Sequence, residues 1–130
     1  MRYFFWLQCG ISVFIGFLSY FLGGFDALIY ALLSLVCIDY VSGVLCAVHS
    51  RCLSSKIGAK GIIKKIFIFM LVGAAHLADF YLLHDKNGLR TVVICFYSAN
   101  EIISILENAA CCGLPIPKAI TNALNALKTN

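Results

Sequence analysis

The sequence predicts an all-α integral membrane protein, with three to four transmembrane helices followed by a short C-terminal amphipathic helix. Hydrophobic residues make up 62% of the 130-residue chain and charged residues 12%, against about 45–50% and about 25% in a soluble domain. Too little polar surface remains to cover a water-soluble sphere. The apolar residues fall into four runs, 3–22, 25–49, 66–83 and 89–112, each near the roughly 20 residues that cross a bilayer. The basic residues gather mainly between the second and third runs. Three or four spans leave only loops and a tail, so 1–130 reads as a single membrane domain. No separately folded enzymatic or nucleic-acid-binding module fits.

Segment 3–22 carries no charge, and Gln8, Ser12 and Ser19 share one side of it with Gly16 nearby. A narrow small-and-polar stripe suits helix packing in lipid, whereas an interfacial helix needs a broad charged face. Arg2 ahead of an apolar run also opens a signal-peptide reading. The run is too long for one and no A-x-A-like site follows, so a true span is expected. Gly23-Gly24 marks a break. Segment 25–49 holds Asp39 near its middle, and Gly43 and Ala47 form a small-xxx-small pair that lets another helix approach closely.

The stretch 50–65 contains Arg51, Lys56, Lys60, Lys64 and Lys65. Basic residues between apolar spans mark a cytoplasmic connection, because Lys and Arg resist translocation. These five are therefore expected to set topology from a solvated loop, with Gly58 and Gly61 delaying any regular helix until about Ile62. Contact with anionic headgroups is worth about 1 kcal/mol per basic residue. In segment 66–83, Gly73, His76 and Asp79 follow at i,i+3 steps, which makes His76 and Asp79 neighbours able to share a hydrogen bond. No nucleophile can be placed beside them, so a self-satisfied polar pair in the bundle is expected rather than catalysis.

His84 to Gly88 forms a turn, and 89–112 returns across the membrane. Gly113, Pro115 and Pro117 end that helix. Beyond them Ile120, Ala123, Leu124 and Leu127 give the amphipathic spacing of a surface helix in the tail 113–130. With the basic loop inside, the tail is cytoplasmic and the 84–88 turn lies outside. Seven cysteines, an odd number with no CxxC, indicate neither a disulfide framework nor a zinc site. The vicinal pair Cys111-Cys112 permits redox or acylation chemistry, but packing is the expected role.

The last span is the most informative. Tyr97, Asn100, Glu101, Ser104, Glu107 and Asn108 fall within an arc of roughly 120° on a helix of 3.6 residues per turn. With Asp39 and Asp79, the acids Glu101 and Glu107 all lie in membrane segments. Each costs roughly 2.5–3.5 kcal/mol at a helix centre, so together they cost on the order of 10 kcal/mol if they face lipid. They must be protonated, paired, or turned toward a cavity or another subunit. A pore-forming protein, a small proton-coupled exporter and an accessory subunit all remain open on these grounds. The exporter needs one dominant carboxylate in a defined pocket, and here the acids are spread over three segments.

Four stretches carry a resemblance: LGGFDALIYALLSLVCIDYVSGVL (22–45), LSSKIGAKGIIKK (53–65), GAAHLAD (73–79) and NEIISILENAACCGLPIPK (100–118). They resemble the phage-lysis and toxin-secretion holin family, which includes holins encoded beside large clostridial toxins. The resemblance implies a multi-pass protein of the bacterial cytoplasmic membrane, with membrane lipids and copies of itself as partners. Such proteins open lesions through which an endolysin, or in some relatives a toxin, leaves the cell. It implies no enzyme activity, no metal or other cofactor, and no nucleic acid. An antiholin is a related alternative. On this reading Asn100, Glu101, Ser104, Glu107 and Asn108 are candidates to face other subunits or the lesion. Asp39, His76 and Asp79 are placed at the bundle seam. Collapse of the membrane potential is the candidate trigger, since one charge crossing it is worth about 2.3 kcal/mol per 100 mV.

Overall fold

The computed structural model describes residues 1–84 and 86–128, apart from the side chains of residues 57, 124, 127 and 128. The expected apolar stripe of the tail at Leu124 and Leu127, and Asp85 in the expected turn, fall outside that description. Every element is helical: α1 Arg2–Leu22, α2 Ala27–His49, α3 Ser55–Ala78, α4 Gly88–Cys111 and α5 Lys118–Lys128. A π-helical turn, Asp79–Leu83, extends α3. Among the described residues, four helices are long and apolar enough to cross a membrane, including the first.

Local chemistry sets the boundaries. α1 ends because Gly23 adopts the left-handed conformation (φ 79°), which glycine enters without the Cβ penalty. A Cβ there would also stand 2.6 Å from the His76 ring and 2.9 Å from Arg90 Nε. α2 starts at once, because Asp26 accepts a hydrogen bond from Ile29 N (3.0 Å) as its N-cap. α4 closes on left-handed Gly113, and α5 begins directly after Pro117.

α3 departs from the expected boundary. It begins at Ser55, so the expected loop 50–65 shrinks to 50–54. Glycine costs a helix about 1 kcal/mol, but an unpaired backbone group in a bilayer costs several. Gly58 also leaves room for Tyr40, whose hydroxyl lies 3.6 Å from where a Cβ would stand. Packing and backbone satisfaction override the propensity that suggested a loop.

α2 and α4 share the most extensive seam, α3 closes against both, and α1 leans on α3. Where α1 and α3 meet, the Phe21 ring lies directly on Gly73, and a Cβ on Gly73 would come within 2.0 Å of it. The buried apolar core is Leu22, Ile29, Leu32, Val36, Ile68, Val72 and Ile94. All of it lies between the bundle's midplane and the end bearing the α1–α2 and α3–α4 turns. Large apolar side chains cover the exterior, with Tyr3 and Trp6 near one end and Tyr20 and Tyr81 at the other. The last two share a hydrogen bond of 3.0 Å between hydroxyls. Such aromatic residues suit membrane–water interfaces.

Candidate functional site

Asp39 of α2, Lys65 of α3 and Glu101 of α4 meet inside the bundle. Asp39 stands ten residues from His49, Lys65 ten from Ser55 and Glu101 ten from Cys111, all ends on the same side. At 1.5 Å per residue each is about 15 Å deep, half of a hydrocarbon core of roughly 30 Å. Lys65 Nζ donates to Asp39 Oδ2 and to Glu101 Oε2, forming an ion pair with each. Asn108 Nδ2 donates to Asp39 Oδ1 (3.2 Å) and to Ser42 Oγ (2.9 Å). Asn108 Nδ2 also reaches the Asp39 carbonyl oxygen (3.4 Å), and the remaining links among the three helices run from side chain to side chain.

Beside it lies a cavity of about 280 Å³, room for several waters of about 30 Å³ each. Asp39 and Lys65 line its deep end, and Leu53 and Ser54 of the 50–54 loop line its mouth. Gly43, Gly58 and Gly61 form part of the wall, where missing side chains leave the space open.

A second cluster ties the other end together. Arg90, only 1% exposed, donates from Nε to Leu22 O (2.6 Å) and from Nη2 to Gly24 O (3.1 Å). Its two terminal nitrogens grip the Asp26 carboxylate at 2.7 and 3.2 Å, the bidentate geometry that suits a guanidinium. That guanidinium holds the Asp26 carboxyl below the usual carboxylate range. Asp79, fully buried, accepts from the backbone N–H groups of Leu89 (3.0 Å) and Arg90 (2.8 Å). It thereby satisfies the first turn of α4, where the helix dipole favours a negative charge.

The residues expected from sequence are therefore divided. Glu101 and Asn108 turn inward to the midplane cluster, and Ser104 lines its cavity. Asn100 and Glu107 lie exposed on the bundle's exterior. Asp39 sits at the seam of three helices. His76 and Asp79 share the outer cluster but bond separately, with His76 Nδ1 on Asn87 Oδ1 at 3.2 Å. Among the basic residues, Arg51, Lys56, Lys60 and Lys64 are exposed. Lys65 is not a solvated loop residue: the early start of α3 places it nearly three turns into a helix, facing two acids.

Sequence reasoning missed Arg90 and Asp26 as partners and gave Lys65 only a topological role. One signal was available, because four membrane acids require bases and few bases lie near the spans. The cysteines also differ from expectation. Cys46 and Cys111 pair as a disulfide between the C-terminal ends of α2 and α4 (Cα–Cα 6.1 Å). Their 65-residue separation hides a proximity that only helix register creates.

The result is a small helical bundle with four membrane-length helices among the described residues and two clusters of buried charge. The chain belongs to the bacteriophage holin family, a group of non-enzymatic, pore-forming membrane proteins, which matches residues 16–129. It is 42% identical over 118 residues to an uncharacterised protein of Listeria monocytogenes, covering 91% of this chain and 84% of that one. It is 40% identical over 116 residues to an uncharacterised protein of Clostridium perfringens, covering 88% and 86%. A probable holin of Bacillus phage phi105 is 35% identical over 94 residues, covering 72% of this chain and 68% of its own. No solved structure matches the chain.

Proposed function

We propose that this protein acts as a holin in the bacterial cytoplasmic membrane. Copies of it accumulate, associate and open lesions that let an endolysin, or a large toxin, cross. The observation that carries the reading is family membership over nearly the whole chain, joined to four membrane-length helices. The exposed basic residues Arg51, Lys56, Lys60 and Lys64 favour an orientation with the 50–54 loop and the C-terminus in the cytoplasm.

The polar arc of α4 suggests how a closed protomer opens. Asn100 and Glu107, on the exterior, are the first polar groups another subunit meets. Glu101, Ser104 and Asn108 become available only if α4 turns or parts from α2 and α3. Lesion opening then exchanges contacts within a protomer for contacts between protomers or with water. The exporter reading loses ground for a related reason. The carboxylates do converge, but on Lys65, an internal cation standing where a cationic substrate would bind.

Inducible expression in bacteria carrying a potential-sensitive dye and a cytoplasmic endolysin tests this. Sudden depolarisation followed by endolysin release is expected. Resistance to cationic dyes without depolarisation would overturn it in favour of an exporter. Delay of lysis by a co-expressed relative, with no lesion of its own, would identify an antiholin.

A further inference from the structure

The midplane charges do not balance. Asp39 and Glu101 bring two carboxylates to the one ammonium of Lys65, and among the described residues no other base pairs with them. Asn108 contributes only a neutral amide. The outer cluster has the same count, Asp26 and Asp79 against Arg90, and resolves it with two backbone N–H donors and the positive end of α4. No helix end reaches the midplane. The side chains of Asp39 and Glu101 are 9% and 6% exposed, so bulk water does not screen them either. A surplus buried carboxylate takes up a proton rather than stay ionised, and two carboxylates sharing one site hold one proton between them.

The residues lining the cavity run from Leu53 and Ser54 to Asp39 and Lys65, and the buried apolar residues Val36, Ile68, Val72 and Ile94 lie beyond that end. The titratable groups at the site are Asp39 and Tyr40 from α2, Lys65 from α3 and Glu101 from α4. Ser104 and Asn108 are the neutral polar groups beside them.

We propose that Asp39, Lys65 and Glu101, with the glycine-walled cavity, form a proton-binding site at the membrane midplane that is reached from the loop side alone. A hydronium ion or buffer acid in the cavity water donates the proton to one carboxylate of the pair and leaves as water or conjugate base. The cluster passes from −1 to neutral. The other carboxylate keeps the Lys65 ion pair, and one of the two ionic links between α3 and its neighbours is lost. A proton travelling to the midplane crosses about half the membrane field, so occupancy responds to potential as well as to pH on that side. This deepens the holin reading, and rests on it only for the orientation and for the link to lesion timing.

The test uses the full-length protein in lipid discs. Infrared difference spectra on acidification are expected to show a carboxylic-acid carbonyl band that the Asp39→Asn, Glu101→Gln double variant lacks. Absence of the band, or its survival in that variant, would overturn the proposal. Should the double variant fail to fold, Lys65→Met gives the second reading. Without the ammonium, the band is expected to persist to a proton concentration about tenfold lower or less, and an unmoved midpoint overturns the proposal. Sidedness is read with Ala47→Cys, on the cavity wall, in a background lacking the native cysteines. A membrane-impermeant thiol reagent is expected to label it in inverted vesicles and not in spheroplasts, and labelling from both sides overturns one-sided access. None of these measurements uses lysis, so a failed holin reading and a failed proton site are distinguishable.

Discussion

The bundle keeps its buried charges in two places. At the outer end Arg90 is locked by two backbone carbonyls and a forked carboxylate, and Asp79 by two backbone amides. Backbone partners cannot swing away, so that cluster is fixed as long as the helices exist. At the midplane, Lys65, Asp39, Glu101 and Asn108 meet side chain to side chain, beside a cavity. Flexible partners near water can exchange. The apolar core lies between the two, so one end of the bundle is stitched while the other half is held by contacts that a proton or a neighbouring subunit can replace.

The largest expected loss tests the stitched end. Arg90→Ala leaves Leu22 O and Gly24 O without their donor and strands Asp26. Each buried acceptor left without a donor costs about 1–3 kcal/mol and the emptied Arg90 site adds to that, so the variant is expected to lose most of its folded fraction in detergent, read by thermal unfolding. Arg90→Lys is expected to recover only part of this, because an ammonium cannot grip a carboxylate as a fork. A variant as stable as the parent would show the outer cluster to be no anchor.

Lys65→Met is the matching change at the midplane and is expected to cost less, about 1–3 kcal/mol, because the two acids can take up protons through the cavity. The sign follows from linkage. Without Lys65 the folded carboxylates bind more protons than the unfolded ones, so stability falls as pH rises. Adding Glu101→Gln is expected to remove much of that pH dependence. A double-mutant cycle on Lys65 and Glu101 measures their coupling, expected at about 1–3 kcal/mol for residues in contact. A loss as large as that of Arg90→Ala, flat with pH, would erase the distinction between the clusters.

The spans, their order and the polar arc of α4 were legible because hydropathy and helical period are local properties. Glu101 and Asp39 were legible as groups that must be satisfied, since the cost of a lone membrane charge needs no coordinates. What satisfies them was not, because pairing across helices depends on depth. That Asp39, Lys65 and Glu101 lie at one level emerges only once α3 is seen to start at Ser55. The glycines at 58 and 61 pointed the other way, toward a loop. Arg90 drew no partner from the sequence, because only the tight Gly23 turn brings Leu22 O, Gly24 O and Asp26 onto it. The Cys46–Cys111 pairing was hidden for the same reason.

A smaller effect separates packing from hydrogen bonding in the attachment of α1. Gly73→Ala would drive a methyl into the Phe21 ring, and overpacking of this kind typically costs about 1–3 kcal/mol. The ring is only partly buried near the end of α1 and the methyl would meet its far edge, so the low end is expected. The Arg90 bonds to Leu22 and Gly24 should survive. Cysteine cross-linking between α1 and α3 is expected to weaken near Phe21 while the α1–α2 turn stays protected from proteolysis. If the turn is exposed as well, packing rather than Arg90 holds α1 in place.

The smallest effect concerns Asp26, whose side chain is 47% exposed. Arg90 lowers the pKa of its folded-state carboxyl, so its stabilising contribution is present above the unfolded carboxylate value of about 3.9. That contribution is lost as pH falls through the lower folded value. Solvent screening holds an exposed pair to about 1 kcal/mol at most. Asp26→Asn keeps an oxygen for the Ile29 N–H and for one Arg90 nitrogen, so it is expected to lower stability slightly near neutrality and to match the parent in strong acid. The parent's stability should therefore drop toward the variant's only at the acid end. The midplane cluster predicts the opposite direction once Lys65 is removed, with stability falling toward alkaline pH. Opposite slopes, one in the difference between the parent and Asp26→Asn and the other in Lys65→Met, measured in one detergent, are what a fixed outer pair and an exchangeable inner one require. Parallel slopes would mean that both clusters titrate as ordinary ion pairs and that depth in the membrane makes no difference.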